Sequence, residues 1–210
     1  MTPVDAGRVV LVHGLWMNGL VMLPLARRLE RCGFQVTRHG YRSVSRGLRE
    51  NARTLAAVCR KARGPMHLVG HSLGGLVIMT MLQEHPEIPV HRVVLIGSPY
   101  AGSAAAHGLA RFTWSRGVLG HTIRDWLRRP RPRVPDGVEL GVIAGDASFG
   151  LGRLFVNLPA PNDGVVMLDE TRVPGAADSI VLHTSHSAML VSQEVARAAC
   201  TFLQNGSFKR

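Results

Sequence analysis

The sequence is poor in several features, and each shortage closes off a class of function. Cysteine occurs three times, as Cys32, Cys59 and Cys200, an odd and scattered set with no C-x-x-C pair and no Cys/His cluster. A zinc knuckle or a disulfide framework is therefore without support, and reduced thiols in a reducing, cytoplasmic setting are the expectation. No uncharged apolar stretch reaches the ~18 residues that a membrane span requires. The opening MTPVDAG carries Asp5 and no apolar run ahead of the first core-like segment, so no cleaved secretory signal is expected. No G-x-G-x-x-G follows the first strand, which leaves dinucleotide binding unsupported. The histidines outside the segments discussed below (His39, His67, His85, His91, His107 and His121) show no metal-ligand spacing, so neither a metal nor another cofactor is expected. Lysine is nearly missing, with Lys61 and Lys209 alone, and aromatic residues make up only 5% of the chain.

What is present is a folding composition. The 210 residues are 46% apolar and 19% charged, and their length suits a single domain spanning 1–210 with a sizeable core. Arginine carries nearly all of the formal charge of +11. No nucleic-acid-binding motif accompanies it, so nucleic acid is not an expected partner.

Short apolar runs alternate with helical patterns. Arg8–Val12 reads as a buried strand, followed by a helix over Leu20–Arg31 that ends near Gly33. Phe34–Thr37 reads as a second strand, and Leu48, Ala52, Leu55, Ala56 and Cys59 recur at helical spacing. Met66–Val69, Val93–Ile96, Leu140–Ala144 and Ile180–Leu182 read as further strands. Helices are expected over Gly74–Glu84, before Pro86, and over Met189–Leu203. Such alternation predicts an α/β fold, a mostly parallel sheet with helices on both faces. The one compositional break is 101–137, first Ala/Gly/Ser-rich, then Arg-rich, then Pro-rich, which reads as an insertion.

The sharpest chemical signal is Gly70-His71-Ser72-Leu73-Gly74-Gly75, between a strand and a helix. This is G-x-S-x-G in the context its mechanics need: a turn so tight that residues two away from the serine must lack side chains, which pushes Ser72 out above the sheet. Ser72 is the candidate nucleophile, and the Leu73 N–H points where an oxyanion would form. His13-Gly14-Leu15-Trp16, after the first strand, supplies a second backbone donor. Leu15 is the favoured donor, and Trp16 is placed as a wall of the substrate pocket. His13 is read as ordering this turn, and His71 as packing beneath the elbow.

With these residues the sequence resembles the α/β-hydrolase superfamily, and within it the small bacterial lipase/esterase group. The resemblance rests on VLVHGLW, LVGHSLGG, IGSPYAGS, PNDGVV and HTSHSAML, in the family's order over roughly 9 to 205. It implies a serine–acid–histidine triad in that chain order. His186 fits the base, between the last strand and last helix, with His183 as the fallback. Asp163, in Pro161-Asn162-Asp163-Gly164, matches the acid, with Asp146 after Gly145 as its rival. The implied activity is hydrolysis of carboxylic esters, of small molecules or lipids, through an acyl-enzyme. An acyltransferase or thioesterase with the same triad, and a non-catalytic scaffold docking on membranes or acidic partners, are the alternatives.

The segment 111–133 carries seven arginines against Asp125 alone. Leu119, Ile123, Trp126 and Leu127 form an apolar stripe on a short basic helix. Two readings stand: a lid that covers the acyl pocket and meets anionic membrane, or an ordinary helix packed on the core with a solvated arginine face. About 35 residues leave no room for a large cap, so an open site favouring short to medium acyl chains is expected.

Overall fold

A computed structural model describes residues 7–62, 66–110, 115–148 and 158–209. Six parallel strands, β1 (Arg8–Val12), β2 (Gln35–His39), β3 (Met66–His71), β4 (Arg92–Ile96), β5 (Glu139–Gly145) and β6 (Asp178–Leu182), form one sheet in the order β2-β1-β3-β4-β5-β6. The helices are α1 (Leu23–Arg31), α2 (Leu48–Cys59), α3 (Leu73–Glu84), α4 (Ala104–Ala110), α5 (Ser115–Leu127) and α6 (Gln193–Asn205).

The central strands are apolar throughout because both of their faces are covered. In β1, Val10 and Val12 join one core with α2 and α3, while Val9 and Leu11 join a second with α1 and α6. This is the expected α/β arrangement. Side-chain alternation along each strand makes two cores from one sheet. After β1 the chain first moves outward to β2 and then returns to lay β3 on the other side of β1. The crevice between the carboxyl ends of β1 and β3 is thus the topological switch point, where open α/β sheets place their ligands.

The element ends refine the sequence reading. The Leu20–Arg31 helix is two pieces, a 3₁₀ turn over Gly19–Met22 capped by Asn18, then α1 opening with Pro24 near its start. The Met189–Leu203 helix is likewise divided. A 3₁₀ turn spans Ala188–Leu190, and α6 begins afresh behind Ser192, whose Oγ accepts the Val195 N–H. Serine at that position satisfies an amide that the first helical turn leaves without a partner.

The apolar stripe expected on the basic helix is turned inward. Trp126 and Ile123 are buried in the α2/α3 core, and Leu127 packs against it. Polar contacts anchor the same helix: Asp125 Oδ2 accepts the Leu48 N–H at 3.0 Å, and Asn51 Nδ2 donates to Thr122 Oγ1 at 2.9 Å. The side chains of Arg111, Arg116 and Leu119 lie outside the described residues.

One expectation is overturned. Cys32, at the end of α1, and Cys200, in α6, are joined in a disulfide across 168 residues of sequence, and only Cys59 is a free thiol. Three reduced thiols do not hold, and the cysteines no longer argue for the cytoplasm, since disulfides persist in oxidising compartments. The reason is tertiary: α1 and α6 pack side by side on one face of the sheet, and spacing along the chain carries no sign of that. In the chain-entropy picture, closing so long a loop contributes about 5 kcal/mol. Among the described residues no helix is long and apolar enough to cross a membrane.

Candidate active site at the carboxyl end of the sheet

Ser72 sits between β3 and α3 with φ of 53°, a left-handed conformation rare outside glycine. The packing shows why glycines flank it. A Cβ on Gly70 would lie 2.6 Å from Gly75, and one on Gly74 would lie 2.2 Å from the Val12 carbonyl oxygen. Any side chain at either position would push the turn off the sheet. The Ser72 N–H is spent on the Ile96 carbonyl at 2.9 Å, which holds the strained residue in place. Leu73 is the first residue of α3, so its N–H has no carbonyl within the helix to bond.

His186 and Asp163 come together from separate loops. His186 Nδ1 lies 2.7 Å from Asp163 Oδ2, with both side chains almost wholly buried. Asp163 Oδ1 accepts the N–H groups of Val165 and Val166 at 2.9 and 2.7 Å, and the Asp163 carbonyl accepts the His186 N–H at 2.8 Å. The carboxylate is thus both the hinge of its own turn and the partner of the imidazole, which accounts for a buried charge at this point.

His71 links this pair to the elbow. It precedes Ser72, its ring centroid stands 4.8 Å from that of His186, and its Nε2–H donates to the His186 carbonyl at 3.0 Å. Burial, and then the neighbouring His186, pushes the His71 pKa down to about 3, so it serves as a neutral donor. The expected packing role is thereby extended to a bond that ties the His186 loop to the serine turn.

The rivals are joined to each other. His183 Nδ1 lies 2.8 Å from Asp146 Oδ1, out in solvent at the ends of β6 and β5. They form a pair of the same chemistry beside the buried one.

On the far side, the 13–17 turn lies against the elbow: a Cβ on Gly14 would come within 3.2 Å of both Ser72 Cβ and His71 Nδ1. His13 orders the turn, as expected. Its Nδ1–H donates to the Gly14 carbonyl at 2.8 Å, its Nε2 accepts the Tyr41 N–H at 3.3 Å, and its ring stacks on Tyr41 at 4.4 Å. Burial lowers its pKa, the Gly14 bond opposing, and this tautomer is the neutral one. Trp16 has φ of 58°, its N–H donates to Ser43 Oγ at 3.2 Å, and its indole stands in solvent. The turn therefore directs that amide away, toward Ser43.

Gly97 is a contributor that sequence reasoning used only as part of a resemblance. Its φ is 55°, and a Cβ there would sit 3.2 Å from both Asp163 Oδ2 and His186 Nδ1. The signal was the glycine after β4. Tyr41 and Ser43 left no signal at all. Among the described residues no group of three or more potential ligands could hold a metal.

Residues 9–201 match the family model described as Alpha/beta hydrolase family. The chain belongs to that family, and its six-strand parallel sheet has that family's fold. No curated protein matches it in sequence. Among solved structures it is similar to the Bacillus licheniformis lipase BlEst2, with a TM-score of 0.74 and 22% identity over 87% of this chain and 86% of that one. It is also similar to a pyrethroid hydrolase from Sphingobium faniae JZ-2, with a TM-score of 0.67 and 15% identity over 95% of this chain and 98% of that one. A third is the carboxylesterase CesB of Bacillus subtilis, with a TM-score of 0.60 and 17% identity over 96% of this chain and 85% of that one.

Proposed function

We propose that this protein is a serine hydrolase of carboxylic esters, with Ser72 as nucleophile, His186 as base and Asp163 as the acid that orients it. The observation that carries the reading is the buried 2.7 Å bond between Asp163 and His186, tied to the strained Ser72 turn by the bond from His71 Nε2–H to the His186 carbonyl. The neighbours named lipase, pyrethroid hydrolase and carboxylesterase share the fold and point to the same chemistry.

Asp163 accepts the Nδ1–H of His186 and so keeps Nε2 as the basic nitrogen. Nε2 takes the Ser72 proton as Oγ attacks the ester carbonyl. The oxyanion is met by the N–H groups of Leu73 and Leu15, each worth ~10²–10³ in rate for donors of this kind. The alcohol leaves with the proton from His186, and water repeats the cycle on the acyl-enzyme. Trp16, at the mouth, contacts the substrate. Charge develops where amides are already fixed by α3 and by the His13–Tyr41 stack, so little reorganisation accompanies the reaction.

The test is Ser72→Ala, assayed with a chromogenic butyrate ester and a fluorophosphonate probe. Turnover and labelling should both vanish while the circular dichroism spectrum is retained. Undiminished turnover in that variant removes Ser72 from the mechanism.

A further inference from the structure

Five large apolar side chains stand exposed among the described residues, and four of them lie on the two connections that also carry Leu15 and His186. Trp16 (61% exposed), Leu20 (67%) and Val21 (36%) lie on the loop that leads from β1 into α1, and Val191 (56%) lies on the loop that leads from His186 into α6. Inward neighbours on the same loops, Met22, Met189 and Leu190, are buried in the core shared by α1 and α6. The two loops thus divide their apolar residues between anchoring and display. A left-handed conformation at Trp16, held by Ser43, keeps the largest of them at the surface.

Charge stands beside this rim. Arg38 is exposed and donates to the Gly19 carbonyl at 3.3 Å, touching the loop that carries Leu20. Arg42 is exposed next to Ser43, the residue that holds Trp16. Neither has an acidic partner among the described residues. The acidic groups on or bonded to the other loop are Glu194, in the first turn of α6, Asp146, which is paired with His183, and the buried Asp163, which is paired with His186.

We propose that this rim docks on an anionic lipid surface, with Trp16, Leu20, Val21 and Val191 entering the interface and Arg38 and Arg42 meeting the headgroups. The mouth of the site would then open onto the membrane. Single apolar side chains on projecting loops suit a soft, deformable partner, and tryptophan favours the boundary between headgroup and chain. A second copy of the chain is disfavoured as occupant, because two bodies of formal charge +11 repel. Docking itself does not depend on the proposed ester chemistry, and only the delivery of substrate from the membrane rests on that reading.

The experiment is co-sedimentation of the full chain with vesicles of equimolar phosphatidylcholine and phosphatidylglycerol, against pure phosphatidylcholine. Binding is expected to the anionic vesicles, to weaken with added salt, and to be equal for wild type and Ser72→Ala. Leu20→Ser and Val191→Ser should each weaken it about ten-fold, and Arg38→Gln and Arg42→Gln about five-fold. Turnover of a soluble short-chain ester should stay within about two-fold of wild type in Leu20→Ser and Val191→Ser, which also shows that they fold. Equal binding to both vesicle types, absence of binding, or binding unaffected by Leu20→Ser with Val191→Ser overturns the proposal. So does dimerisation without lipid that these two substitutions abolish, which would assign the rim to a second copy.

Discussion

Two histidine–aspartate pairs stand at the carboxyl end of the sheet, their histidines three residues apart on one loop and their aspartates on others, and they differ chiefly in burial. His186–Asp163 closes at 2.7 Å with side chains 8% and 1% exposed, and His183–Asp146 closes at 2.8 Å with side chains 82% and 38% exposed. Separation is therefore not what distinguishes them. In water a pair of opposite charges gains little and is screened. In the interior the same contact is strong, and the carboxylate can hold an imidazole in one tautomer and one orientation only because extra amides satisfy it. Asp163 has the Val165 and Val166 amides, His186 has His71 beneath it, and Gly97 leaves the space in which the pair meets.

The comparison breaks most sharply at the acids. Asp163→Asn should cut kcat for the butyrate ester by ~10³–10⁴, because the amide favours the wrong imidazole tautomer. Asp146→Asn should leave kcat within about two-fold. Equal losses in steady-state kinetics would merge the two roles and reopen Asp146 as the acid.

The space around the buried pair is the next place to press. Gly97→Ala places a methyl group 3.2 Å from both bonded atoms at a φ of 55°. A loss in kcat of about 10²-fold is expected, since small misplacements of reacting groups cost that much. A fully active Gly97→Ala enzyme would show that the pair tolerates widening.

Buried imidazoles also set a pH limit on the fold. His39 is lowered to about 4 and His71 to about 3, in both cases first by burial. The unfolded chain takes up these protons near pH 6.5, before the folded one does. Stability is therefore complete above about pH 6.5 and falls as pH drops toward 4, by up to about 1.4 kcal/mol per pH unit for each group. Urea melts across this window should show the slope, and His39→Gln should flatten it. The smallest effect belongs to the exposed pair: removing it through His183→Gln should change stability by less than ~1 kcal/mol in the same melts.

Much of the fold was legible because parallel strands covered on both faces announce themselves as short β-branched runs. Arg8–Val12 was read to its ends, and the other strands within a residue or two, with edge strand β2 the least sharply bounded. The serine turn was legible because its glycines are sterically required. Choosing between Asp163 and Asp146, and between His186 and His183, lay beyond local pattern. Each of the four sits in a loop at the carboxyl end of the sheet, and both aspartates are also plausible turn residues. Helix Leu20–Arg31 was read too long at its start because a 3₁₀ turn and an α-helix share apolar spacing over one turn.

The sequence by itself determined the layered α/β architecture, the nucleophile turn with its steric glycines, and the set of acids and bases available, since each depends on neighbours within a few residues. Tertiary structure alone decided that Cys32 meets Cys200, that the basic helix turns Trp126 inward, and which aspartate is drawn into the interior beside which histidine. Those outcomes depend on what lies across the sheet, where distance along the chain carries no information and burial sets the strength of every charge.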